Sequence, residues 1–328
     1  MFRKAKKAQR SRTRNQSKEK ANNNKTMNIS KKALMLFIVA LTSVISMAQP
    51  YYHIMKDVNG KLTEETGYNG KDYNIKISME GPKPKDAIGG RITIENFDCH
   101  ISPKRSFYFT KNGNVYYNDS EKKFYFEKSQ LDYPKNYSKN HCGHFNWGRS
   151  IKECTDIQTS LGWPDAKEED FYFANPEYLP KLKEDLGNEE WAVLSCCEWS
   201  YVCANLGECG WKVNDKPCFL IDATPGKSLL RTIQAEHNGE KTMSIEEFES
   251  YEAQGLVCLP ASGLRRVSSF YGQGYSADYQ SCTPSSDIGG GVESGTYHMS
   301  FDPREAGVKS GPARSIGYAV RLVILADD

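Results

Sequence analysis

Long apolar runs, histidine and closely paired cysteines are scarce in this 328-residue sequence. The longest largely apolar stretch, Ala33 to Ile45, falls short of the roughly 20 residues a membrane-spanning helix needs. Only six histidines occur, none in a recognisable catalytic context. No C-x-x-C pair exists among the ten cysteines, which removes the strong form of a zinc signature. Thr224-Pro225-Gly226-Lys227-Ser228 ends like a phosphate loop, but Ile221 stands where the first glycine belongs. It reads as a turn after a strand over Cys218 to Ile221. Ser262, in Pro-Ala-Ser-Gly-Leu, is not in a nucleophile elbow. There is no internal repeat.

What is present is aromatic and turn-rich. Aromatics make up 12% of the chain, 19 of them Tyr, and the mean hydropathy is −0.64. That composition suits a sheet-containing globular protein better than a membrane or disordered one.

Charge divides the chain unevenly. Residues 1–26 hold ten Lys or Arg and a single acid, Glu19. This block reads as a disordered upstream extension, as a long signal n-region, or as a nucleic-acid-binding run. Residues 27–48 then have the three parts of a secretory signal. Lys31 and Lys32 supply the charge, Ala33 to Ile45 the apolar run, and Ser46-Met47-Ala48 a cleavage site before Gln49. Removal of residues 1–48 leaves 31 basic and 40 acidic residues, a net charge of −9. Such a chain is a poor nucleic-acid binder, because phosphate neutralisation needs clustered cations. The expected location is secreted, cell-surface or periplasmic, with no transmembrane span in the mature chain.

All ten cysteines lie beyond residue 98, at 99, 142, 154, 196, 197, 203, 209, 218, 258 and 282. Export permits disulfides, and one to three are expected, with the 196–218 group the first place for them. A metal could draw on His141, Cys142, His144 and Cys154, or on Cys196, Cys197, Cys203 and Cys209, though neither set has the spacing of a zinc site.

Alternating segments at 73–77 and 91–94 predict half-exposed strands, with residues 81–90 as a turn or linker. Ser106 to Thr110 and Asn114 to Asn118 flank Asn112-Gly113, which predicts a hairpin, followed by a third strand at 122–128. Asn188 is a candidate N-cap for a helix with Trp191, Leu194, Cys197 and Tyr201 at helical steps. Ser244 and Glu247 form a capping box for a second helix, with Met243 and Phe248 at staple spacing and Gly255 ending it. Leu256 to Leu259 then reads as a buried strand closed by Pro260, so Cys258 is expected to pack as a small hydrophobe. Residues 268–295 read as long surface loops, with further strands at 296–301 and 318–324.

These landmarks form a series: EEWAVL (189–194), GW (210–211), VCLPASGLR (257–265), TYHMSF (296–301) and GYAVRLV (317–323), with HFNWG (144–148) upstream. The series resembles secreted Bacteroidetes-type domains of the Fibrobacter succinogenes major paralogous domain group. The resemblance spans roughly residues 100–326. It implies a C-type-lectin-like α+β domain, with two helices on twisted antiparallel sheets and long loops, distantly related to formylglycine-generating enzymes. Residues 49–99 would form a small β-rich segment ahead of it. One departure stands out: Gly274-Tyr275-Ser276-Ala277 replaces the family's Tyr-Trp-Ser-Ser, so an aromatic contact is lost or displaced into Tyr279.

The cysteine chemistry of the related oxidases needs an exposed, activated thiolate, which Cys258 in a core strand would not supply. The calcium signatures of sugar-binding lectins are absent, which leaves the loop acids Asp278, Asp287 and Glu293 as ion ligands without a supporting motif. The expectation is therefore a non-catalytic protein without a cofactor, binding a glycan or protein outside the cytoplasm. Its contacts would be the aromatics of Gly- or Pro-rich segments: Trp163, Tyr271, Tyr275 and Tyr279. The alternatives are a structural surface or fimbria-associated subunit, or a cysteine-dependent enzyme.

Overall fold

The chain divides into two units, residues 1–50 and 51–328. The computed structural model describes residues 54–58, 61–65, 75–94, 105–133, 137–158, 166–225, 228–285, 295–310 and 313–326, all in the second unit. The expected signal segment with its Ala48–Gln49 junction, the basic run before it, and Trp163 lie outside the described residues.

The elements in chain order begin with β1 (Ile54–Val58), β2 (Lys61–Glu65), β3 (Ile75–Ser78), β4 (Ala87–Ile94), β5 (Ser106–Thr110), β6 (Val115–Asn118), β7 (Lys123–Phe126) and β8 (His144–Phe145). Helices α1 (Ile151–Thr155) and α2 (Leu179–Leu186), β9 (Trp191–Val193) and α3 (Cys196–Asn205) come after them. Next are β10 (Gly207–Val213), β11 (Lys216–Asp222), α4 (Leu229–Glu236), β12 (Thr242–Met243), α5 (Ile245–Glu252) and β13 (Leu256–Pro260). The chain closes with β14 (Leu264–Arg266), β15 (Ser269–Tyr271), β16 (Ala277–Ser285), β17 (Gly295–Phe301), β18 (Ala306–Ser310), β19 (Tyr318–Ala319) and β20 (Leu322–Leu325). The fold is mixed α+β and mostly sheet, with five α-helices among the described residues where two were expected.

Three sheets carry it, in the orders β3-β4-β5-β20-β9, β18-β17-β16-β19-β8 and β12-β10-β11-β13. Most pairings are antiparallel; β10–β12 and β16–β19 are parallel. Residues 75–94 share a sheet with the C-terminal end of the chain, because β4 pairs with β5, which pairs with the last strand. Within the segment expected as a turn or linker, 81–86 does turn, but Ala87–Gly90 already belongs to β4.

The 106–128 region differs from its sequence reading. β5 pairs with β4 and β20, and β6 pairs with β7 instead. The tight turn is Asp119–Lys122, where the Asn118 side-chain oxygen accepts from the backbone of Ser120 and Glu121 and Lys122 takes φ 58°. Gly113 has no left-handed φ and instead packs closely on Glu127 and Ser129, so Asn112-Gly113 does not form the two-residue hairpin turn.

The first expected helix starts later than its periodicity suggests. Trp191–Val193 is strand β9, paired with β20, and α3 begins after Ser195. There Ser195 and Glu198 complete a capping box that Asn188 lacks. Eight of the ten α3 residues are buried, which explains its weak amphipathic signal. The second expected helix is α5, capped by Ser244 with Glu247, and Met243 and Phe248 are both buried beside it. Gly255, at φ 125°, redirects the chain two residues past the helix cap, and every residue of β13 is buried. The expected strand over 318–324 breaks at Val320-Arg321 into β19 and β20, which lie in different sheets.

The core has three apolar clusters. One gathers Trp199 of α3, Phe109, Tyr279 and Phe301 between sheets. A second holds Trp147, Phe171, Phe173 and Trp191, and a third packs Leu230 and Phe248 of α4 and α5 on Trp211, Leu220 and Leu256. Each large apolar side chain fully buried in this way contributes roughly 1.5–3 kcal/mol. Among the described residues no helix is long and apolar enough to cross a membrane.

Candidate functional site

The stretch from Ala261 to Ala277 is where backbone constraint and exposed aromatics coincide. Gly263 enters it at φ 72°, a conformation open to glycine. β14 and β15 then pair Arg266 with Ser269, leaving Val267-Ser268 as a two-residue turn. Val267 takes φ 51°, a rare conformation for a β-branched residue and one that hairpins usually give to Gly, Asn or Asp. Such a residue costs on the order of 1–3 kcal/mol and persists only where its surroundings hold it.

Those surroundings are visible. The Arg265 N–H donates to Gly317 O at 2.8 Å and Gly317 N–H returns the bond to Arg265 O at 2.9 Å. The buried Arg265 guanidinium donates to His144 O at 3.1 Å and Asn146 Oδ1 at 3.0 Å. Phe270 packs edge-on against the His144 ring, centroids 5.0 Å apart. Beyond β15, Gly272 O accepts from Tyr275 and Ser276 N–H at 2.9 and 2.8 Å. Gly274 N–H donates to Ala261 O at 2.7 Å and Gly263 N–H to Ser276 O at 2.8 Å. The hairpin and the loop after it are thus tied to each other and to the sheet edge.

On this support Tyr271 and Tyr275 stand 54% and 53% exposed, and Val267 56%. Tyr279 does not join them. It is fully buried on β16, its hydroxyl donating to Pro260 O at 2.9 Å and accepting from Asn114 Nδ2 at 3.3 Å, which removes it as a surface contact. Residues 277–285, expected as loop, form a nine-residue central strand. Several of its polar groups bond inside the protein, as where Gln280 Nε2 donates to Phe145 O at 2.7 Å. Trp147 is likewise core, stacked on Phe171 under the Arg314 guanidinium.

Tyr275 also walls a shallow cleft with Trp211, Lys212, Pro217, Phe301 and Asp302. Cations surround the two tyrosines. Arg266 lies over the Tyr271 ring at 5.9 Å, Lys212 is exposed in the cleft, and Arg304 pairs with Asp302 at 3.1 Å. Sequence reasoning found Tyr271 and Tyr275 but missed Arg266, Val267 and Lys212; the doubled arginine at 265–266 was the available signal.

The other titratable clusters are inward-facing. Asp278, expected in a loop, pairs with His298 at 3.2 Å, and Asp287 and Glu293 lie outside the described residues. Arg105 grips Glu198 through two bonds of 3.0 and 2.6 Å, beside Glu168 and the Cys282 thiol. Cys282 is on β16, not in a loop, and burial followed by the Glu168 charge raises its pKa. Burial also raises Cys142 to about 11 and Cys196 to about 12, and holds His144 down to about 4.

Of the 196–218 group, Cys197 is disulfide-bonded, whereas Cys196, Cys203, Cys209 and Cys218 are buried free thiols and form none of the expected bridges among themselves. Cys196 Sγ is 3.8 Å from Cys197 Sγ, against the roughly 2.05 Å of a bond. Cys218 instead points its thiol at Trp211 O, packing as a small hydrophobe. The histidine-cysteine group also separates into distinct partnerships. His141 pairs with Glu127 at 2.7 Å, His144 Nε2 meets Ser262 O at 3.1 Å, and the Cys142 and Cys154 thiols donate to backbone carbonyls. Among the described residues no three potential metal ligands converge.

No family model, curated protein or solved structure matches this chain.

Proposed function

We propose that this is an exported, non-catalytic binding protein with a C-type-lectin-like domain, recognising a glycan or protein ligand through Tyr271 and Tyr275. The observation carrying this reading is the pair of half-exposed aromatic rings on a backbone held at both ends. Rigid aromatics lose little conformational freedom on binding, and a pre-ordered loop lowers the cost further. The signal-like residues 27–48 support export. The buried, raised thiols support a non-catalytic role, since a cysteine nucleophile requires a depressed pKa and access.

The test is a combined glycan and protein array probed with the wild-type protein and a Tyr271→Ala/Tyr275→Ala variant. Capture of at least one ligand class is expected, weakened tenfold or more in the variant. A defined ligand whose capture is indifferent to both tyrosines would sink the assignment.

A further inference from the structure

Building on that reading, we infer that the ligand is an anionic glycan. Its sugar faces lie on Tyr271 and Tyr275, and its acidic groups on Arg266 and Lys212. The charge pattern carries this. Arg266 is exposed beside Tyr271, and no acid among the described residues pairs with it. Asp278, which shares the Tyr318 hydroxyl's surroundings with Arg266, is held by His298. Lys212 is exposed in the cleft walled by Tyr275, again without an acidic partner among the described residues. The acids on that side are taken: Glu208 by Lys241 at 2.7 Å and Asp302 by Arg304 at 3.1 Å. Two cations with unspent charge therefore flank two open aromatic rings.

A protein partner fits this surface less well. Val267 is its single exposed aliphatic side chain, its neighbours Ser268 and Ser269 are exposed hydroxyls, and lysine is depleted in protein–protein cores. A sugar ring offers an apolar face for a tyrosine and hydroxyls for the serines. A guanidinium fork matches a carboxylate or a sulfate in two parallel bonds.

The experiment is calorimetric titration of the full chain with heparin, polygalacturonate, neutral dextran and, as a non-glycan polyanion, polyglutamate, with thermal melts confirming that each variant folds. Binding to heparin or polygalacturonate is expected, the two arms separating sulfate from carboxylate recognition, with dextran silent. Arg266→Ala/Lys212→Ala and Tyr271→Ala/Tyr275→Ala should each weaken binding at least tenfold. Dextran binding that needs the tyrosines and ignores the cations overturns the anionic assignment while leaving the binding reading standing. Silence of all three glycans with tyrosine-dependent capture of polyglutamate overturns the glycan assignment alone. Anionic binding untouched by all four substitutions, as the basic run at 1–26 would give, overturns the inference as well.

Discussion

Gly263→Ala is the sharpest probe of how the aromatic loop is held. At φ 72° any L-residue meets the left-handed penalty of about 1–2 kcal/mol. A Cβ there would also sit 2.4 Å from Tyr271 O and 2.7 Å from Gln273 N, both backbone atoms that cannot swing aside. Relief requires the loop to lift, which loosens the Gly263–Ser276 and Gly274–Ala261 bonds at about 1 kcal/mol each. The sum is about 3–4 kcal/mol. Gly274→Ala is the matched control: φ is 80° in the same loop, but nothing lies within 4 Å of its Cβ, so the backbone penalty acts alone. In a domain of this size each kcal/mol moves Tm by about 2–3 °C, giving losses of about 9 °C and about 4 °C. Calorimetric melts measure both, and ligand titration should show the larger affinity loss for Gly263→Ala. Equal Tm shifts for the two variants would refute the close-contact argument.

Two further outcomes are expected. His144 is fully buried and held near pKa 4, whereas in the unfolded chain it titrates near the ordinary value of about 6.5. Its contribution is complete above the unfolded pKa and is lost as pH falls toward 4, because the unfolded state takes up the proton first; that gap corresponds to about 3 kcal/mol. Urea unfolding at pH 7, 5.5 and 4 should show His144→Gln losing about 3 kcal/mol less than wild type over that range, and parallel curves would refute this. The eight free thiols among the described residues are all buried, so iodoacetamide at neutral pH should modify them only after denaturation. Peptide mapping that finds one of them alkylated within minutes in the folded protein would overturn the non-catalytic reading.

Where a local signal and the tertiary structure agreed, the sequence was legible. The Ser244 capping box, Gly255 and the apolar run into Pro260 need no distant partner to be read. Strand β16 failed for the opposite reason. Asp278, Gln280, Ser281 and Thr283 resemble loop residues until hydrogen-bond partners across the sheet are known. The periodicity from Trp191 to Tyr201 merged a strand and a helix, since a helix with eight of its ten residues buried, Glu198 and Ser200 among them, shows no exposed polar face to set the phase. Asn112-Gly113 is a strong turn signal, yet β5 lies between β4 and β20 and β6 pairs with β7, a long-range pairing no local signal reports. At the site, aromatics amid glycines were visible from composition. Whether Arg266 or Lys212 carries unspent charge depends on which acids fold nearby, and no local pattern encodes that.

The arginines of GLRR and GYAVRL acquire a physical reason once the sheet changes are seen. Arg265 and Arg321 are each 1% exposed, and burial lowers both pKa values, that of Arg321 to about 10. Taking such an ion out of water costs several kcal/mol, so its return must come from the acceptors it satisfies. Arg321 stands at the step between β19 and β20, where the chain leaves one sheet for another and regular pairing lapses. It donates to Thr110 O at 2.8 Å and Gln130 Oε1 at 2.6 Å. Gln130 also accepts from Cys258 N–H and donates to Glu252 Oε1 at 2.6 Å, relaying a carboxylate's charge toward the guanidinium. Arg265 serves His144 O and Asn146 beneath the aromatic hairpin in the same manner, and Arg314 donates to Gly295 O at the start of β17. A fold whose core is crossed by irregular backbone leaves carbonyls without ladder partners, and a five-donor side chain is the residue best able to serve several at once. Arg265 and Arg321 are therefore joints between sheets, whereas Arg266, one residue past a joint, is exposed.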